Sequence, residues 1–267
     1  MNPRMPSPSV VLIARLLAGL TVLLAGAALA EQPRACFLLH ELGTTEVVRK
    51  GGGECDERTS PASTFKIPHG LAALESKVIT EDEVIRIKGK QKIASWEGTH
   101  TLRTAIRYSV VPFFQETARR IGRKRMTAWL EKFDYGNKND SGRIDRFWLN
   151  GRLKISPVEQ LAFLEKFFTG ALPVEPKTLE VVKSALEQPA GTYVAGGTEV
   201  PIEGWPAGAK LFGKTGSTGE PARVGWYVGA VERDGRRFVF VSRMRGVKSG
   251  AAAAAAAVRE LKAAGVY

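Results

Sequence analysis

A serine and a lysine three residues apart, Ser63 and Lys66, are the residues of this chain best suited to nucleophilic catalysis. Pro61 precedes them, where proline suits the start of a helix. On a helix, residues at this spacing lie about 60° apart around the axis, so the lysine amine can reach the serine hydroxyl. A serine hydroxyl attacks effectively only when a base accepts its proton. The spacing therefore makes Ser63 a candidate nucleophile and Lys66 its candidate base.

Other arrangements of a catalytic serine fit this chain less well. His69 follows Ser63 by six residues, which places it about 120° away around a helix axis. The GxSxG turn of the Ser-His-Asp hydrolases does not occur in the sequence. The SxxK spacing by itself is weak evidence, since about one match is expected by chance in a chain of this composition.

Further motifs accompany the SxxK element in chain order. They are SVV (Ser109, Val110, Val111), YGN (Tyr135, Gly136, Asn137), FWL (Phe147, Trp148, Leu149) and KTG (Lys214, Thr215, Gly216). A nucleophilic serine, a second serine and KTG in this order form the pattern of the penicillin-interacting serine enzymes. The set is therefore far more specific than SxxK alone.

With these motifs in family order, the chain resembles the class D beta-lactamases, the oxacillinase type, over essentially its whole mature length. The middle motif has the SxV form of that family. A class A enzyme would instead show SDN and an acidic residue for deacylation, and SDN does not occur here.

The resemblance implies which residues bind and open the lactam ring. Ser63 would attack the lactam carbonyl, and the backbone amides of Ser63 and Ser217 would bind the oxyanion. Ser109 would relay a proton to the departing lactam nitrogen. The substrate carboxylate would meet the positive charge of Lys214 and the hydroxyl of Thr215. The expected substrate-binding residues are Val111, Lys214, Thr215, Gly216 and Ser217.

The resemblance also implies that carbon dioxide carboxylates the side-chain nitrogen of Lys66, which then acts as the base for acylation and deacylation. Carboxylation needs a neutral amine, and burial among Phe65, Val111 and Leu149 would lower the lysine pKa by disfavouring its charged form. The indole NH of Trp148 would donate to the carbamate. No cofactor is expected besides carbon dioxide or bicarbonate.

A second motif overlaps KTG. Gly208 and residues 213–215 match GxxxxGK[ST], the phosphate-binding P-loop. A P-loop follows a hydrophobic strand and opens a helix. Here Trp205 and Pro206 precede the motif and a Gly- and Pro-containing stretch, 216–221, follows it, so a phosphate-binding role is not expected.

Two features depart from the family pattern. The family often has an arginine near the start of the C-terminal helix that binds the substrate carboxylate, and alanines at 251–257 occupy that region here. Arg245, Lys248 or Arg259 could replace this arginine, or the contact could be absent. The segment 191–208, which precedes KTG, is longer than the family pattern leads us to expect. It is expected to form an added loop at the edge of the substrate-binding cleft.

The elements that must hold these residues are strands at both ends of the chain and helices between them. Strand patterns occur at 36–42, 46–49, 209–215, 224–232 and 237–245, and a helical pattern follows the alanine run. Strands from both termini predict one antiparallel sheet with a helical subdomain inserted at roughly 66–190, an α+β fold of the beta-lactamase/transpeptidase type. The site is expected in the cleft between the two parts.

Composition limits the classes of function. The net charge is +12, but the cations are scattered, and the cluster at 119–125 on one predicted helix is interpreted as a solvated face rather than an anion-binding surface. No nucleic-acid partner is expected. Three histidines and two cysteines, without HExxH or paired CxxC motifs, predict no metal site.

Residues 1–30 are predicted to be a cleavable signal peptide. Arg4 and Arg15 precede an apolar stretch at 16–30 that ends in the small-x-small pattern Ala-Leu-Ala. This stretch of 15 residues is shorter than the roughly 20 that span a bilayer, although a retained anchor is the alternative. The mature domain, 31–267, would be periplasmic, with no stable membrane insertion.

Export determines how the two cysteines are interpreted. In an oxidising compartment an even pair is usually bridged, so Cys36 and Cys55 are predicted to form a disulfide. The bridge would brace residues 54–60, immediately before the SxxK element.

The sequence thus predicts a periplasmic serine beta-lactamase that hydrolyses penicillins as a monomer or homodimer. One alternative is a D-Ala-D-Ala peptidase, which shares SxxK and KTG, but Trp148 and the SxV motif favour the lactamase. Another is a beta-lactam sensor domain that is acylated at Ser63 without turnover. Such a sensor would need membrane helices and a signalling partner.

Overall fold

The computed structural model describes Met1 and residues 34–267. The apolar stretch and the cleavage site of the predicted signal peptide lie outside the described residues. Within the described part of the chain, no helix combines the length and the apolar character needed to cross a bilayer.

Nine strands and seven α-helices are present in this part of the chain. The strands are β1 (Ala35–Glu41), β2 (Val47–Lys50), β3 (Ile85–Ile87), β4 (Gly98–His100), β5 (Thr192–Ala195), β6 (Thr198–Pro201), β7 (Lys210–Ser217), β8 (Val224–Arg233) and β9 (Arg236–Arg245). The helices are α1 (Lys66–Glu75), α2 (Leu102–Arg107), α3 (Val111–Ile121), α4 (Arg123–Lys132), α5 (Pro157–Thr169), α6 (Pro176–Leu186) and α7 (Gly250–Ala263).

Strands from both ends of the described chain form one antiparallel sheet in the order β2-β1-β9-β8-β7, as predicted. The β8–β9 hairpin turns at Asp234 and Gly235, which both have positive φ, the conformation that a tight two-residue turn requires. This α+β architecture confirms the predicted fold class.

The sheet is covered on both faces, which explains why eight consecutive residues of β8 are buried. Side chains alternate along a strand, so Trp226 enters the core shared with α1 to α6, while Tyr227 enters the core shared with α7. The alanine run forms α7 as predicted, and its small side chains at Ala253 and Ala257 pack directly on the sheet.

The region between the terminal strands is helical from α1 to α6, but its details differ from the prediction. The short β3–β4 ladder lies within it. The cation cluster lies on two helices rather than one, because Gly122 adopts φ 74 and ends α3. Acidic side chains also contact the cluster, since Arg119 pairs with Asp145 at 3.0 Å and Arg120 with Glu83 at 2.6 Å. Much of the cluster is therefore engaged in intramolecular ion pairs.

Residues 191–208 were expected to be a loop, yet they contain the β5–β6 hairpin. Gly196 and Gly197 form its two-residue turn with φ 63 and φ 84, a conformation that glycine adopts without steric cost. Sequence analysis overlooked the Gly-Gly pair between the two four-residue segments that form β5 and β6, a pattern that predicts a hairpin.

The disulfide and the P-loop match also have clear structural outcomes. Cys36 and Cys55 are joined by a disulfide with a Cα–Cα distance of 5.2 Å, as predicted, and it links β1 to a short 3-10 helix at Gly52–Cys55. Residues 213–215 lie inside β7, and β8 follows next in the chain, so the P-loop match has neither the loop nor the helix that phosphate binding needs.

Candidate active site

The nucleophile candidate lies at a junction of two helical segments. Ser63 is part of the 3-10 helix Ala62–Phe65, which runs directly into α1 at Lys66. The amine Nζ of Lys66 donates a hydrogen bond of 2.8 Å to Ser63 Oγ. Ser63 is half-buried, whereas Lys66 is fully buried. The predicted pair is therefore in contact, with the serine on the accessible side.

Burial shifts the protonation equilibrium of Lys66 towards the neutral amine. Desolvation holds the pKa of its amine well below the usual value, and the nearby charge of Lys214 lowers it further. The ring of Phe114 lies 5.2 Å from Nζ, a neighbour that sequence analysis did not single out, while Val111 and Leu149 are only half-buried. A neutral amine can accept the Ser63 proton or react with carbon dioxide.

Trp148 is completely buried beside the lysine-bearing helix. Its ring packs 5.8 Å from Phe65 and 5.3 Å from His69. The indole Nε1 is buried without a hydrogen-bond acceptor among the described residues. A buried donor without a partner costs free energy of about 1–3 kcal/mol, so this site favours a group that supplies an acceptor.

His69, which was predicted to be badly placed to act as the base, has Thr117 rather than Ser63 as its hydrogen-bond partner. It is fully buried, and desolvation lowers its pKa to about 3, with the charge of Lys66 as a second cause. Its Nε2 lies 3.0 Å from Thr117 Oγ1, so the ring is held on α3. The imidazole is therefore neutral at physiological pH.

The YGN motif closes the loop that carries Trp148. Asn137 Nδ2 donates to the carbonyl of Arg152 at 2.9 Å, and its Oδ1 accepts from the amide of Lys154 at 2.9 Å. Gly136 has φ 55, and a Cβ there would overlap the carbonyl oxygen of Lys154. Tyr135 is buried and donates to Gln160 at 2.9 Å. The hydrogen bonds of Asn137 thus connect the start of this loop to its end at residues 152–154.

Ser109 and Lys214 meet although they are 105 residues apart. Ser109 adopts φ 57 between α2 and α3, in the left-handed region that is strained for a residue with a side chain. Lys214 Nζ donates to Ser109 Oγ at 3.0 Å and to the carbonyl of Thr215 at 3.0 Å. Burial lowers the pKa of Lys214 to about 7.

Strand β7 lies directly against the nucleophile segment, residues 61–64, because Gly216 has no side chain. A Cβ at Gly216 would lie 3.0 Å from the carbonyl oxygen of Pro61 and 3.1 Å from Thr64 Cγ2. Thr215 is half-buried and Ser217 is exposed, so both can meet a ligand. Ser217 Oγ accepts from the amide of Gly250 at 2.7 Å, which ties the end of β7 to the start of α7.

The candidates for a carboxylate-binding cation differ in their surroundings. Arg245 pairs with Glu57 and lies 3.8 Å from Glu54, so its guanidinium is already engaged. Arg259 is nine residues along α7, about 13.5 Å from its start. Lys248 is exposed and precedes Gly250 by two residues, which makes it the candidate closest in the chain to the Ser217 contact.

Ser60 is a further residue of the site that sequence analysis missed. Its hydroxyl donates to the carbonyl of Trp148, 88 residues away. No local pattern signals such a contact, because only the tertiary fold brings the two segments together. Within residues 34–267, no group of three or more His, Cys, Asp or Glu residues is arranged to hold a metal ion.

The chain is similar to known proteins over most of its length. The family model for the penicillin binding protein transpeptidase domain matches residues 46–262. The chain is 36% identical to beta-lactamase OXA-10 of Pseudomonas aeruginosa, over 80% of this chain and 77% of that protein. It is 40% identical to beta-lactamase OXA-48 of Klebsiella pneumoniae, over 69% of this chain and 65% of OXA-48.

A solved structure has the same fold. The class D beta-lactamase BAT-2 superimposes with a TM-score of 0.79 at 32% identity, covering 88% of this chain and 93% of the BAT-2 chain.

Proposed function

Because this chain belongs to the class D beta-lactamases, we propose that it hydrolyses the lactam amide of penicillins through an ester on Ser63. The observation that carries the proposal is the 2.8 Å hydrogen bond from the buried Lys66 amine to Ser63 Oγ. A neutral amine beside a half-buried serine is suited to accept its proton during attack.

In the first half of the reaction, Ser63 Oγ bonds to the lactam carbonyl carbon and its proton passes to the base on Lys66. The backbone amides of Ser63 and Ser217 are the proposed donors to the oxyanion. The carbon–nitrogen bond then breaks, and Ser109 passes its hydroxyl proton to the nitrogen. The proton that the Lys66 base took from Ser63 is returned by way of Lys214 to Ser109, which frees the base for the second half. The hydrogen bond between Lys214 and Ser109 supports this relay, since Lys214 can return a proton to the hydroxyl.

In the second half, water attacks the ester carbonyl and the base on Lys66 accepts the proton of that water. The carbon–oxygen bond to Ser63 breaks, the Lys66 base returns this proton to Ser63 Oγ, and the ring-opened acid leaves. No separate acidic residue is required, because one base serves both steps.

The residues around Lys66 fit a carboxyl group on its nitrogen. The buried indole NH of Trp148 has no acceptor among the described residues, and a carbamate oxygen would supply one. When present, the carbamate supplies an oxygen base in place of the amine. Desolvation lowers the pKa of Lys66, which favours the uncharged nitrogen that carboxylation requires.

The substrate carboxylate is proposed to bind at the end of β7. Lys214 supplies positive charge and Thr215 supplies a hydroxyl donor. Gly216 and Ser217 present the strand backbone, and Val111 at the start of α3 supplies apolar contact. Lys248 is the proposed additional cation near this carboxylate.

Two alternative activities make different predictions in one assay. Nitrocefin hydrolysis is measured with and without added bicarbonate. Steady turnover that responds to bicarbonate is expected for the lactamase. A stoichiometric burst followed by arrest would indicate a beta-lactam sensor domain, and release of D-alanine without lactam hydrolysis would indicate a D-Ala-D-Ala peptidase.

Export and assembly are also proposals. The mature chain is proposed to be residues 31–267, periplasmic after removal of residues 1–30, and a monomer or homodimer without a nucleic-acid partner. Amino-terminal sequencing of the secreted protein tests the cleavage site, and sedimentation equilibrium tests the oligomeric state.

A further inference from the structure

Ser60 lies three residues before the nucleophile and is 5% exposed. Its Oγ is 2.8 Å from the carbonyl oxygen of Trp148 and 3.0 Å from that of Leu149. A serine hydroxyl has a single proton, so Ser60 shares that proton between two consecutive carbonyls of the tryptophan-bearing loop. The contact fixes the backbone of Trp148 rather than its ring.

The same oxygen also supports the nucleophile turn. The amide of Ala62 donates to Ser60 Oγ at 3.3 Å. Ala62 adopts φ 48, a left-handed conformation that is unfavourable for alanine and needs support from its surroundings. One hydroxyl thus links the turn that presents Ser63 to the loop that presents Trp148.

Ser60 can hold these segments because its own backbone is anchored on two sides. The neighbouring Thr59 exchanges both backbone hydrogen bonds with Ile155, at 3.0 and 2.8 Å. The carbonyl of Ser60 accepts a 2.9 Å hydrogen bond from the indole Nε1 of Trp226 on β8. The hydroxyl is therefore attached to both the central sheet and the loop after Trp148.

We propose that Ser60 is a positioning residue that holds the Trp148 indole NH where it can donate to a carbamate on Lys66. The inference rests on the proposed carboxylation of Lys66. Without the Ser60 hydroxyl, the buried carbonyl of Trp148 and the half-buried carbonyl of Leu149 lose this donor and must turn towards other donors. The loop then moves, and the carbamate loses the indole contact that stabilises it.

The test is the bicarbonate dependence of nitrocefin hydrolysis by Ser60→Ala. Loss of one well-placed hydrogen bond to a charged group should raise the bicarbonate concentration for half-maximal rate about tenfold. The rate at saturating bicarbonate should recover most of the wild-type value. Ser60→Thr retains the hydroxyl and should restore the wild-type dependence.

Two control variants separate positioning from general loss of structure. Thr59→Val removes a neighbouring buried hydroxyl that has no partner among the described residues, and it should leave the dependence unchanged. Ser156→Ala removes a buried hydroxyl that caps α5, so it should lower thermal stability without changing the bicarbonate requirement. If Ser60→Ala is insoluble, Ser60→Cys, a weaker donor, should give a smaller rise.

Carbon-13 NMR with labelled bicarbonate distinguishes failure of the proposed carbamate base from failure of the positioning role of Ser60. Absence of a carbamate signal in the wild type, with full activity, would overturn the proposed base. A wild-type signal that is equally strong in Ser60→Ala at limiting bicarbonate would overturn the positioning role alone. An equal loss of rate at every bicarbonate concentration in Ser60→Ala would overturn the positioning role as well. In a Trp148→Phe background, Ser60→Ala should cause no further rise in the bicarbonate requirement.

Discussion

Lys214 Nζ lies 3.0 Å from Ser109 Oγ, which joins β7 of the central sheet to the turn between α2 and α3. Lys214 is 3% exposed, and its charge is one of the causes that lower the pKa of Lys66. Two lysines that repel each other in one site would become an attractive pair if one of them carried a carbamate. The charge of Lys214 therefore depends on whether Lys66 carries a carbamate.

The titration of Lys214 should respond to bicarbonate. Burial lowers its pKa to about 7, so without carbon dioxide it should lose its proton as the pH rises through 7. A negative carbamate on Lys66 favours the charged form and should move the midpoint upward. NMR of lysine labelled at the ε carbon measures both midpoints. Bicarbonate should not shift the midpoint in Lys66→Ala, and a midpoint near the ordinary lysine value without bicarbonate would contradict the prediction.

Replacement of Lys66 should abolish turnover. Lys66→Ala removes the proposed base for both half-reactions, and loss of a general base typically costs about 10²–10⁴ in rate. Steady-state nitrocefin hydrolysis at saturating bicarbonate measures the loss. Lys124→Ala, at an exposed position of α4, is the control and should keep the wild-type rate. A Lys66→Ala variant that kept most of its activity would remove the basis of the proposed mechanism.

Gly216 is expected to be intolerant of a side chain. The methyl group of Gly216→Ala would crowd the Pro61 carbonyl at 3.0 Å and push β7 away from the nucleophile segment. Acylation should slow by about tenfold or more, since small misplacements of positioning groups are costly. Stopped-flow measurement of the acylation burst provides the test. Gly219→Ala has no atom within 4 Å of the added Cβ and should acylate normally. Equal burst rates for the two variants would refute the argument.

The disulfide should contribute to stability more than to catalysis. It joins residues separated by 19 positions, for which the chain-entropy model predicts about 3 kcal/mol. The double variant Cys36→Ser with Cys55→Ser should therefore unfold at a temperature lower by about 6–12 °C. Differential scanning calorimetry measures the shift, and reductant should lower the unfolding temperature of the wild type by a similar amount. No response of the wild type to reductant would count against the prediction.

The patterns that sequence analysis interpreted correctly are local. The contact between Ser63 and Lys66 follows from the rise and twist of a single helical turn. The β8–β9 hairpin follows from an Asp-Gly pair between two apolar strands. Local patterns also misled where their signal was weak, as at Gly122, where a positive φ splits one predicted helix into two.

The surroundings of Lys66 show what local patterns could not provide. Burial of a lysine was expected from its apolar neighbours in the motifs, yet Phe114, which lies 5.2 Å from the amine, is 48 residues away in sequence. Likewise, Arg245 was a reasonable candidate for the substrate carboxylate until the structure showed its pairing with Glu57. Which residue faces the site depends on how α3 and β9 pack, and neither helical nor strand periodicity encodes that.

By itself, the sequence determined the chemistry and the order of the elements, because residue types and short-range backbone geometry act within one turn or one hairpin. The tertiary structure decided the lowered pKa of Lys66, the contact between Lys214 and Ser109, and the hydrogen bond between Ser60 and the backbone of Trp148. These properties depend on desolvation and on contacts between residues far apart in the chain, and both exist only after the helices have packed on the sheet.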